Sequence, residues 1–263
     1  MKLYSRPLSP ASQKVRLVLT EKKLDWERQD VDLPNKENLE AWYLEMNSLG
    51  MLPTLIDNGH AFNESSVICE YLEDLHPDPS LRPVDLILRA KMRWWMGVVD
   101  DRLHYSAGAV VWPVMMRPAL LEMSAEEREA LLSRIPDRAR QVRHRRWVEH
   151  GVDNPDFKQA VLVYRDTVQE MERMLSEHKW LAGNSFSLAD CSLLPYFQAI
   201  KQMGWSGLYT SHSRVLDWFD RGQARSSYQA QITEQIPLPL LEKFQAVGAE
   251  FNQLLMETVT SAA

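Results

Sequence analysis

The segment from Gly50 to Ser65 carries the residue types that a peptide-binding site requires. Its Leu52-Pro53 bond belongs to the one class of peptide bond in which the cis form costs little. A cis bond would turn the backbone N–H and C=O of Leu52 outward, where an extended peptide can pair with them. Ser65 begins a predicted helix, and its hydroxyl, the free N–H groups and the helix dipole would attract a carboxylate. The segment therefore predicts a ledge that binds a peptide carrying a carboxylate.

The start of the first predicted helix offers further hydroxyl groups. Pro10 suits the first position of a helix, which makes Ser9 the N-cap. The apolar spacing that follows predicts a helix to about Lys22. From its position alone, Ser9 is better explained as a helix cap than as a reactive group.

The order of the predicted elements around these residues is β-α-β-α-β-β-α. This order is typical of a small α/β sheet of thioredoxin type, which we place over residues 1–76. The hairpin turn is Asp57-Asn58-Gly59, whose residues tolerate positive φ. The expected elements are a strand over Met1–Tyr4, the first helix, a strand within Leu24–Leu33, a shorter helix over Pro34–Asn47, the hairpin, and a third helix that stops at His76-Pro77.

The remainder of the chain is predicted to be all-helical. Three prolines between Pro77 and Pro83 predict a stiff linker over 77–84, followed by a helical domain over 85–263. The expected helices include one from Asp85 to about Met116 that Pro113 should kink or break, one opened by a Ser124–Glu127 capping box, one over Asn154–His178, one capped by Ser187 and Asp190, a short one over Arg214–Arg221 and a final one from Pro239 to about Met256.

The composition is that of an ordinary globular protein. Of 263 residues, 45% are hydrophobic and 25% are charged, which allows a large core in one or two domains. The net charge of -6 argues against a nucleic-acid partner. We find no apolar run of membrane-spanning length and no signal peptide, so we expect a cytoplasmic protein without a membrane partner.

The two cysteines, Cys69 and Cys191, lie far apart and form no C-x-x-C pair. Each falls among apolar neighbours in a predicted helix, so we interpret both as core residues and expect no metal site. The nine Trp and 12 Met residues suggest instead a broad aromatic and thioether-lined interior or cleft.

Four motifs stand in the order seen in cytosolic glutathione transferases: Ser9-Pro10-x-x-x-Lys14-Val15-Arg16, Leu52-Pro53-Thr-Leu, Asn63-Glu64-Ser65 and Ser187-x-x-Asp190. The chain therefore resembles this family over nearly its whole length, and the four motifs together are far more specific than any one alone. The resemblance implies a thioredoxin-like domain packed on an all-helical domain. It also implies a homodimer with glutathione as co-substrate.

The resemblance assigns a role to several residues of the first domain. Ser9 matches the catalytic serine, and Leu52, before the cis-proline Pro53, matches the backbone clamp on the cysteinyl unit. Glu64 and Ser65 match the pair that holds the γ-glutamyl end.

The glycine end of glutathione is less well matched. Lys36 falls where some serine-type members place a lysine for the glycine carboxylate. Met51 departs from the family's pattern, in which Lys or Gln is common.

A serine hydroxyl fits the chemistry that this family performs. A free thiol has a pKa near ~8.5, and lowering it by about two corresponds to roughly 2.7 kcal/mol. One charge-assisted hydrogen bond of ~1.5–3 kcal/mol supplies most of that. Ser9 would thus stabilise the thiolate as a donor, without a covalent enzyme intermediate. Ser12 is the rival, since related bacterial enzymes place their active residue nearer that point; we favour Ser9.

The second substrate is expected between the domains. Apolar residues of the first long helix could form its wall, although core packing is the better explanation for each of them alone. His104 could hydrogen-bond a polar group of the substrate, although a lone histidine is more often structural. The candidates are His104, Tyr105, Trp112, Met115 and Met116, with the final helix as a possible lid.

A basic run in the helical half could attract an anion. It comprises Arg138, Arg140, Arg143, His144, Arg145 and Arg146. Because the chain is acidic overall, we interpret the run as a solvated helix face or an interhelix loop.

Three further segments are similar to the bacterial β-etherase branch: Ile68–Asp74, Leu81-Arg82-Pro83, and Met123 through Trp147. That similarity implies a hydrophobic aromatic substrate, with glutathione attacking an aryl ether and releasing a phenol. The alternative is a transferase-like interaction module without catalysis. The intact Ser9, Pro53, Glu64 and Ser65 favour the enzyme.

Overall fold

A computed structural model of the chain describes residues 1–261. Its first part is the predicted thioredoxin-like domain, built on a four-stranded sheet in the order β2-β1-β3-β4. Strand β1 runs parallel to β2 and antiparallel to β3, with Leu3 opposite Arg28 and Leu55. The elements are β1 (Lys2–Ser5), α1 (Pro10–Glu21), β2 (Glu27–Asp30), α2 (Ala41–Leu44), β3 (Thr54–Asp57), β4 (His60–Phe62) and α3 (Ser65–Leu75).

Two expectations for this domain are corrected. The second strand is shorter than predicted and is fully exposed, because it forms the edge of the sheet. The helix predicted over 34–47 is wrong: only a 3₁₀ turn, Glu37–Leu39, and the single turn of α2 form there. The cause is local, since Lys36 has a φ of 61° and Glu40 is extended, so the helical hydrogen bonds cannot continue.

The second part is all-helical, as expected. The predicted linker falls between α3 and α4, and α8 is the helix that contains the basic run. The helices are α4 (Leu86–Val98), α5 (His104–Val111), α6 (Arg117–Glu122), α7 (Ala125–Ser133), α8 (Arg138–His150), α9 (Pro155–Met174), α10 (Leu188–Gln202), α11 (Ser213–Gln223), α12 (Ser226–Gln231), α13 (Leu238–Ala249) and α14 (Asn252–Ser261).

Pro113 does not end the first long helix. The helix passes through α4, a π turn at Val99–Leu103, α5, a second π turn at Trp112–Met116, and α6. Pro113 lies inside the second π turn, whose wider ring tolerates the missing N–H and the bulk of the pyrrolidine. The prediction of a single final helix is also wrong, because two helices form there: α13 and α14 are separated at Glu250-Phe251.

The predicted caps are present. Ser124 and Glu127 form the reciprocal capping box of α7. The fully buried Asp190 carboxylate accepts the backbone N–H of Ser187 at 3.0 Å and the indole N–H of Trp218 at 2.8 Å. These bonds tie the start of α10 to α11.

One hydrophobic core extends across both parts of the chain. Helix α1 packs on α3 of its own domain and on α10 and α12 of the helical part. It therefore connects the two parts of the chain. Cys69 and Cys191 are free and buried in this core, which confirms their structural interpretation. Among residues 1–261, no helix is both long and apolar enough to cross a bilayer.

Candidate active site

The Leu52-Pro53 bond is cis, as the sequence predicted, and it immediately precedes β3. Within residues 1–261, neither the N–H nor the C=O of Leu52 has a hydrogen-bond partner. Both groups are therefore available to pair with the backbone of an extended ligand.

Two side chains hold the turn before this bond. The Tyr43 hydroxyl donates to the carbonyl of Met51 at 2.6 Å, and Asn47 Nδ2 donates to the same oxygen at 2.9 Å. Asn47 Oδ1 in turn accepts the N–H of Leu49 at 3.2 Å. Burial raises the pKa of Tyr43, so its hydroxyl keeps the proton that this bond needs.

Asn63 fastens the other side of the turn. Its Oδ1 accepts from the hydroxyl of the buried Thr54 at 2.8 Å, and its Nδ2 donates to the carbonyl of Met46 at 2.9 Å. The sequence indicated Asn63 only as part of the Asn63-Glu64-Ser65 motif. It gave no signal that Asn47 and Thr54 would join the same hydrogen-bond network.

The entry into α3 is the predicted carboxylate end of the site. Glu64 precedes the helix with a φ of 64°, a conformation that non-glycine residues rarely adopt and that recurs at functional sites. Ser65 is the first residue of α3 and is half-buried. Beneath it, the buried Lys14 ammonium donates to Ser66 Oγ and lies 3.3 Å from Asp100 Oδ1. This charge adds to the positive potential of the helix N-terminus.

These elements enclose a cavity of about 60 Å³. The predicted residues that line it are Met51, Leu52, Pro53, Glu64, Ser65 and His104. Ala11, Asn47 and Asp100 complete the lining, and the sequence did not indicate them. The signal for Asp100 could not be local, because Asp100 reaches the site through its long-range contact with Lys14.

Ser9 and Ser12 occupy different environments beside this cavity. Ser9 caps α1, is half-buried, and accepts the N–H of Ser12 at 3.3 Å, which leaves its own hydroxyl proton free to donate. Ser12 is fully buried and accepts the N–H of Arg6 at 3.3 Å. Neither serine lines the cavity; Ala11 does.

The loop that carries Ser9 is held by Arg16, which is fully buried. Its guanidinium donates to the carbonyls of Arg6 at 2.9 Å and Pro7 at 2.8 Å. It also reaches the Gln231 carbonyl of α12 at 2.9 Å. Burial lowers the pKa of Arg16 to about 10, so the guanidinium remains charged at neutral pH.

Lys36 lies outside the cavity lining. It is half-buried, and among the described residues 1–261 its ammonium has no acidic or hydrogen-bonding partner. Burial, together with the nearby Arg134, lowers its pKa. Next to it along the cleft, the Arg140 guanidinium contacts the sulfur of Met51 and donates to the carbonyl of Leu49 at 2.7 Å.

The helical half contributes His104 directly to the cavity. Its Nδ1 lies 2.9 Å from the hydroxyl of the buried Tyr196, and burial lowers the pKa of the imidazole. His104 therefore presents a neutral ring.

Tyr105 and Trp112 belong to an aromatic cluster next to this position. The Trp112 ring stacks on His144 with centroids 4.1 Å apart, and Tyr105 lies 5.8 Å from Trp147. Met115 and Met116 are half-buried in the second π turn and do not line the cavity.

The basic run is helical, but only part of it is the solvated face that we expected. Arg138 is exposed, and Arg145 pairs with Glu129 of α7 at 2.6 Å. Arg140, Arg143 and His144 instead turn toward the first domain and the aromatic cluster. Their helical spacing puts them on one side of α8, which composition could not reveal.

Comparisons with known proteins agree with this architecture. The family model for the glutathione S-transferase N-terminal domain matches residues 3–80. Protein LigF of Sphingobium sp. strain SYK-6 is 29% identical over 250 residues, covering 92% of this chain and 97% of that protein. Glutathione S-transferase 3 of Zea mays is 29% identical over 245 residues, covering 91% and 96%.

The solved structures extend the agreement to the whole fold. The crystal structure of the β-etherase LigF superposes with a TM-score of 0.81 at 29% identity, covering 89% of this chain and 98% of that one. A glutathione S-transferase III structure superposes with a TM-score of 0.63 at 28% identity, covering 90% and 97%. The chain therefore carries a domain that matches the glutathione S-transferase N-terminal family at residues 3–80, and over nearly its whole length it is similar to glutathione S-transferases and to LigF.

Proposed function

We propose that this protein is a glutathione transferase that binds glutathione across the Leu52-Pro53 ledge and ionises its thiol with the Ser9 hydroxyl. The observation that carries the proposal is the single cavity that brings together the unpaired Leu52 backbone, Ser65 at the start of α3, and His104 from the helical half. Glu64 and Ser65 would hold the γ-glutamyl end, and Lys36 the glycine carboxylate. Ser9 is favoured over Ser12 because its hydroxyl is partly accessible, whereas Ser12 is fully buried.

The second substrate is proposed to be a hydrophobic aromatic electrophile, in particular a β-aryl ether. The aromatic cluster of Tyr105, Trp112 and Trp147 and the similarity to LigF support this assignment. In that reaction the thiolate sulfur attacks the β-carbon, and the C–S bond forms as the C–O bond breaks. The electron pair leaves with the phenoxide, which takes up a proton.

The role of Ser9 is tested by removing its hydroxyl in two ways. Ser9→Ala should lower kcat/KM for an aryl halide by about 10- to 100-fold, the value of a lost hydrogen bond to a charged sulfur. The glutathione Kd should stay within about threefold. Ser9→Gly, which preserves most of the helix-capping stability, should show the same rate loss.

Ser12→Ala is the matched comparison. It should reduce stability by about 1 kcal/mol, because the Arg6 N–H loses its acceptor, while the rate is retained. An unchanged rate in both Ser9 variants, with the loss in Ser12→Ala, would move the role to Ser12. Failure of the wild type to be retained on immobilised glutathione would instead favour a module without catalysis.

The ether reaction needs its own assay. Incubation with glutathione and a β-aryl ether ketone should release the phenol and yield the β-thioether in equal amounts, detected by chromatography and mass spectrometry. Conjugation of an aryl halide without any phenol release from the ether would limit the protein to general transferase chemistry.

We also propose that the protein forms a homodimer through α3 and α4. Val67, Leu86, Ile87 and Trp94 expose between 47% and 73% of their surface. The i, i+7 spacing places Ile87 and Trp94 on one face of α4, and the Glu70–Arg93 ion pair at 3.0 Å brings that face beside α3. Sedimentation velocity should give a dimer, and Ile87→Glu should give a monomer; a monomeric wild type would contradict the proposal.

We also propose that the protein is cytoplasmic, as the sequence predicts. Both cysteines are free thiols in the core, which suits a reducing compartment. Fractionation of the native host would test it, and recovery outside the cytoplasm would refute it.

A further inference from the structure

The side of α8 that faces the cleft carries cations without acidic partners. The Arg143 guanidinium lies 5.2 Å from the centroid of the Tyr105 ring. Within residues 1–261, Arg143 forms no ion pair, and its buried Nε has no hydrogen-bond partner. Arg140, one turn earlier, binds the Leu49 carbonyl and the Met51 sulfur and likewise has no carboxylate at its guanidinium.

The other side of the same helix is built differently. Arg145 forms a two-pronged ion pair with Glu129, at 2.6 and 2.9 Å, and Arg146 pairs with Asp156. The chain thus supplies acids for Arg145 and Arg146 and, within residues 1–261, none for Arg143. Arg143 is half-buried over the Tyr105 ring, so its charge is compensated by a ring face and not by a carboxylate, and an anion from outside the chain would complete the site.

His144 adds a second unsatisfied group beside Arg143. Its ring stacks on Trp112, and its buried Nδ1 has no partner among residues 1–261. Burial and the neighbouring Arg140, Arg143 and Lys36 lower the pKa of His144 to about 3, so the ring is neutral and carries one N–H donor. Arg143 and His144 therefore offer two donors around one aromatic cluster.

This pair lies on the electrophile's side of the cleft. Tyr105 follows the cavity-lining His104 on α5, and the charges of Arg140 and Arg143 both act on His104. The glycine carboxylate of glutathione has closer candidates in Lys36 and in Arg140 at Met51, next to the Leu52 ledge. Arg143 is one turn farther along α8, against Tyr105.

We propose that the cleft selects an aromatic electrophile bearing a carboxylate, which Arg143 and His144 bind while the ring lies on Tyr105 and Trp112. This inference rests on the transferase function proposed above and names the substrate class of that site. It assigns to Arg143 a specificity role that is separate from thiol activation by Ser9.

A pair of electrophiles that differ only in charge tests the proposal. The probes are 4-chloro-3-nitrobenzoate and 4-chloro-3-nitrobenzamide, and each kcat/KM is divided by the uncatalysed rate with glutathione at the same pH. Wild type should prefer the benzoate by about 10- to 100-fold, the range expected for hydrogen bonds to a charged group. Arg143→Gln should abolish that preference by lowering kcat/KM for the benzoate far more than kcat/KM for the benzamide.

Two further variants make the result specific. Arg143→Lys keeps the charge and should retain part of the preference. Arg145→Gln removes an equal charge from the other side of α8 and should leave the preference unchanged. No preference in wild type would overturn the proposal. Equal losses for both probes in Arg143→Gln, with a higher KM for glutathione, would also overturn it by assigning the cation to glutathione.

A binding measurement separates this proposal from the proposed catalysis. Unreactive 3-nitrobenzoate and 3-nitrobenzamide are titrated against wild type and Arg143→Gln, with tryptophan fluorescence as the readout. Tighter binding of the benzoate that disappears in Arg143→Gln would support the anion site even if neither chloride were conjugated. Equal binding of the two probes to wild type would refute it.

Discussion

In the first domain, two asparagines hold the turn before Pro53 with both ends of their amides, and a third, Asn38, donates to the Gly50 carbonyl while its own Oδ1 stays unpaired; the helical half leaves a cation and an imidazole unpaired within the described residues. Asn47 and Asn63 each donate and accept within the fold. Across the cleft, Arg143 Nε and His144 Nδ1 are buried without partners among residues 1–261. The turn at Pro53 is thus held in place without a ligand, whereas across the cleft a ligand would supply the missing hydrogen-bond partners.

The difference matches the two substrates of the proposed reaction. Glutathione is the same molecule in every turnover, so the fold can hold its backbone ledge rigidly before binding. The electrophile side contains two π turns in its long helix, a feature often found at functional sites. In the proposed reaction, polar groups left unpaired there would acquire their partners from the substrate, which would make this side the determinant of specificity.

The largest effect should come from Gly248, which fixes the helix that covers the electrophile side. A Cβ at this position would lie 1.9 Å from the carbonyl oxygen of Met203, and α13 packs on the second π turn. Gly248→Ala should therefore lower the free energy of unfolding by about 3 kcal/mol, measured with urea. The KM for an aryl electrophile should rise more than that for glutathione.

Gly97 is the matched control for this change. It also lies in a helix, but an added Cβ would meet nothing within 4 Å. Gly97→Ala should raise the free energy of unfolding by about 0.5–1 kcal/mol. Equal losses in the two variants, or a selective loss of glutathione affinity in Gly248→Ala, would contradict the separation of the two sides.

The next effect concerns the glutathione ledge. Asn63→Ala would leave the Met46 carbonyl and the Thr54 hydroxyl without their partner, so the unfolding free energy should fall by about 2 kcal/mol. The KM for glutathione should rise while that for the electrophile changes little. Asn35→Ala, at an exposed position, should stay within about 0.5 kcal/mol. A rise in the KM for the electrophile alone would contradict the assignment of Asn63 to the glutathione side of the cleft.

The smallest effect is a pH dependence of stability caused by His144. The folded pKa of about 3 lies below the ordinary value near 6.5, so the unfolded chain binds a proton first as the pH falls. Stability should thus decrease from pH 6.5 toward pH 3 by up to about 1.4 kcal/mol per pH unit. His144→Asn should remove about 1 kcal/mol of the decline between about pH 7 and about pH 5.7 in urea titrations.

The exposed His60 supplies the control. His60→Asn should leave the pH profile of stability unchanged. If His144→Asn keeps the full slope, the His144 ring is not held neutral by its surroundings, and the contrast between the two sides of the cleft weakens.

Local features of the sequence were enough to predict the fold class and much of the first domain's contribution to the site. The caps at Ser9 and Ser124 depend on residues within one or two turns, and both are present. The cis form of Leu52-Pro53, which the family resemblance implied, is present as well. The element order similarly predicted the sheet domain and the helical domain. Such signals are readable because backbone propensity acts over a few residues.

Tertiary packing decided the rest. The sequence could not tell that Ser12 turns inward while Ser9 remains accessible, since that depends on the loop held by Arg16 and by the distant Gln231 carbonyl. Nor could it divide the basic run between two sides of α8, because the acids that pair with Arg145 and Arg146 come from other helices. Burial and long-range charge depend on which elements meet in space, and no local pattern of residues encodes that.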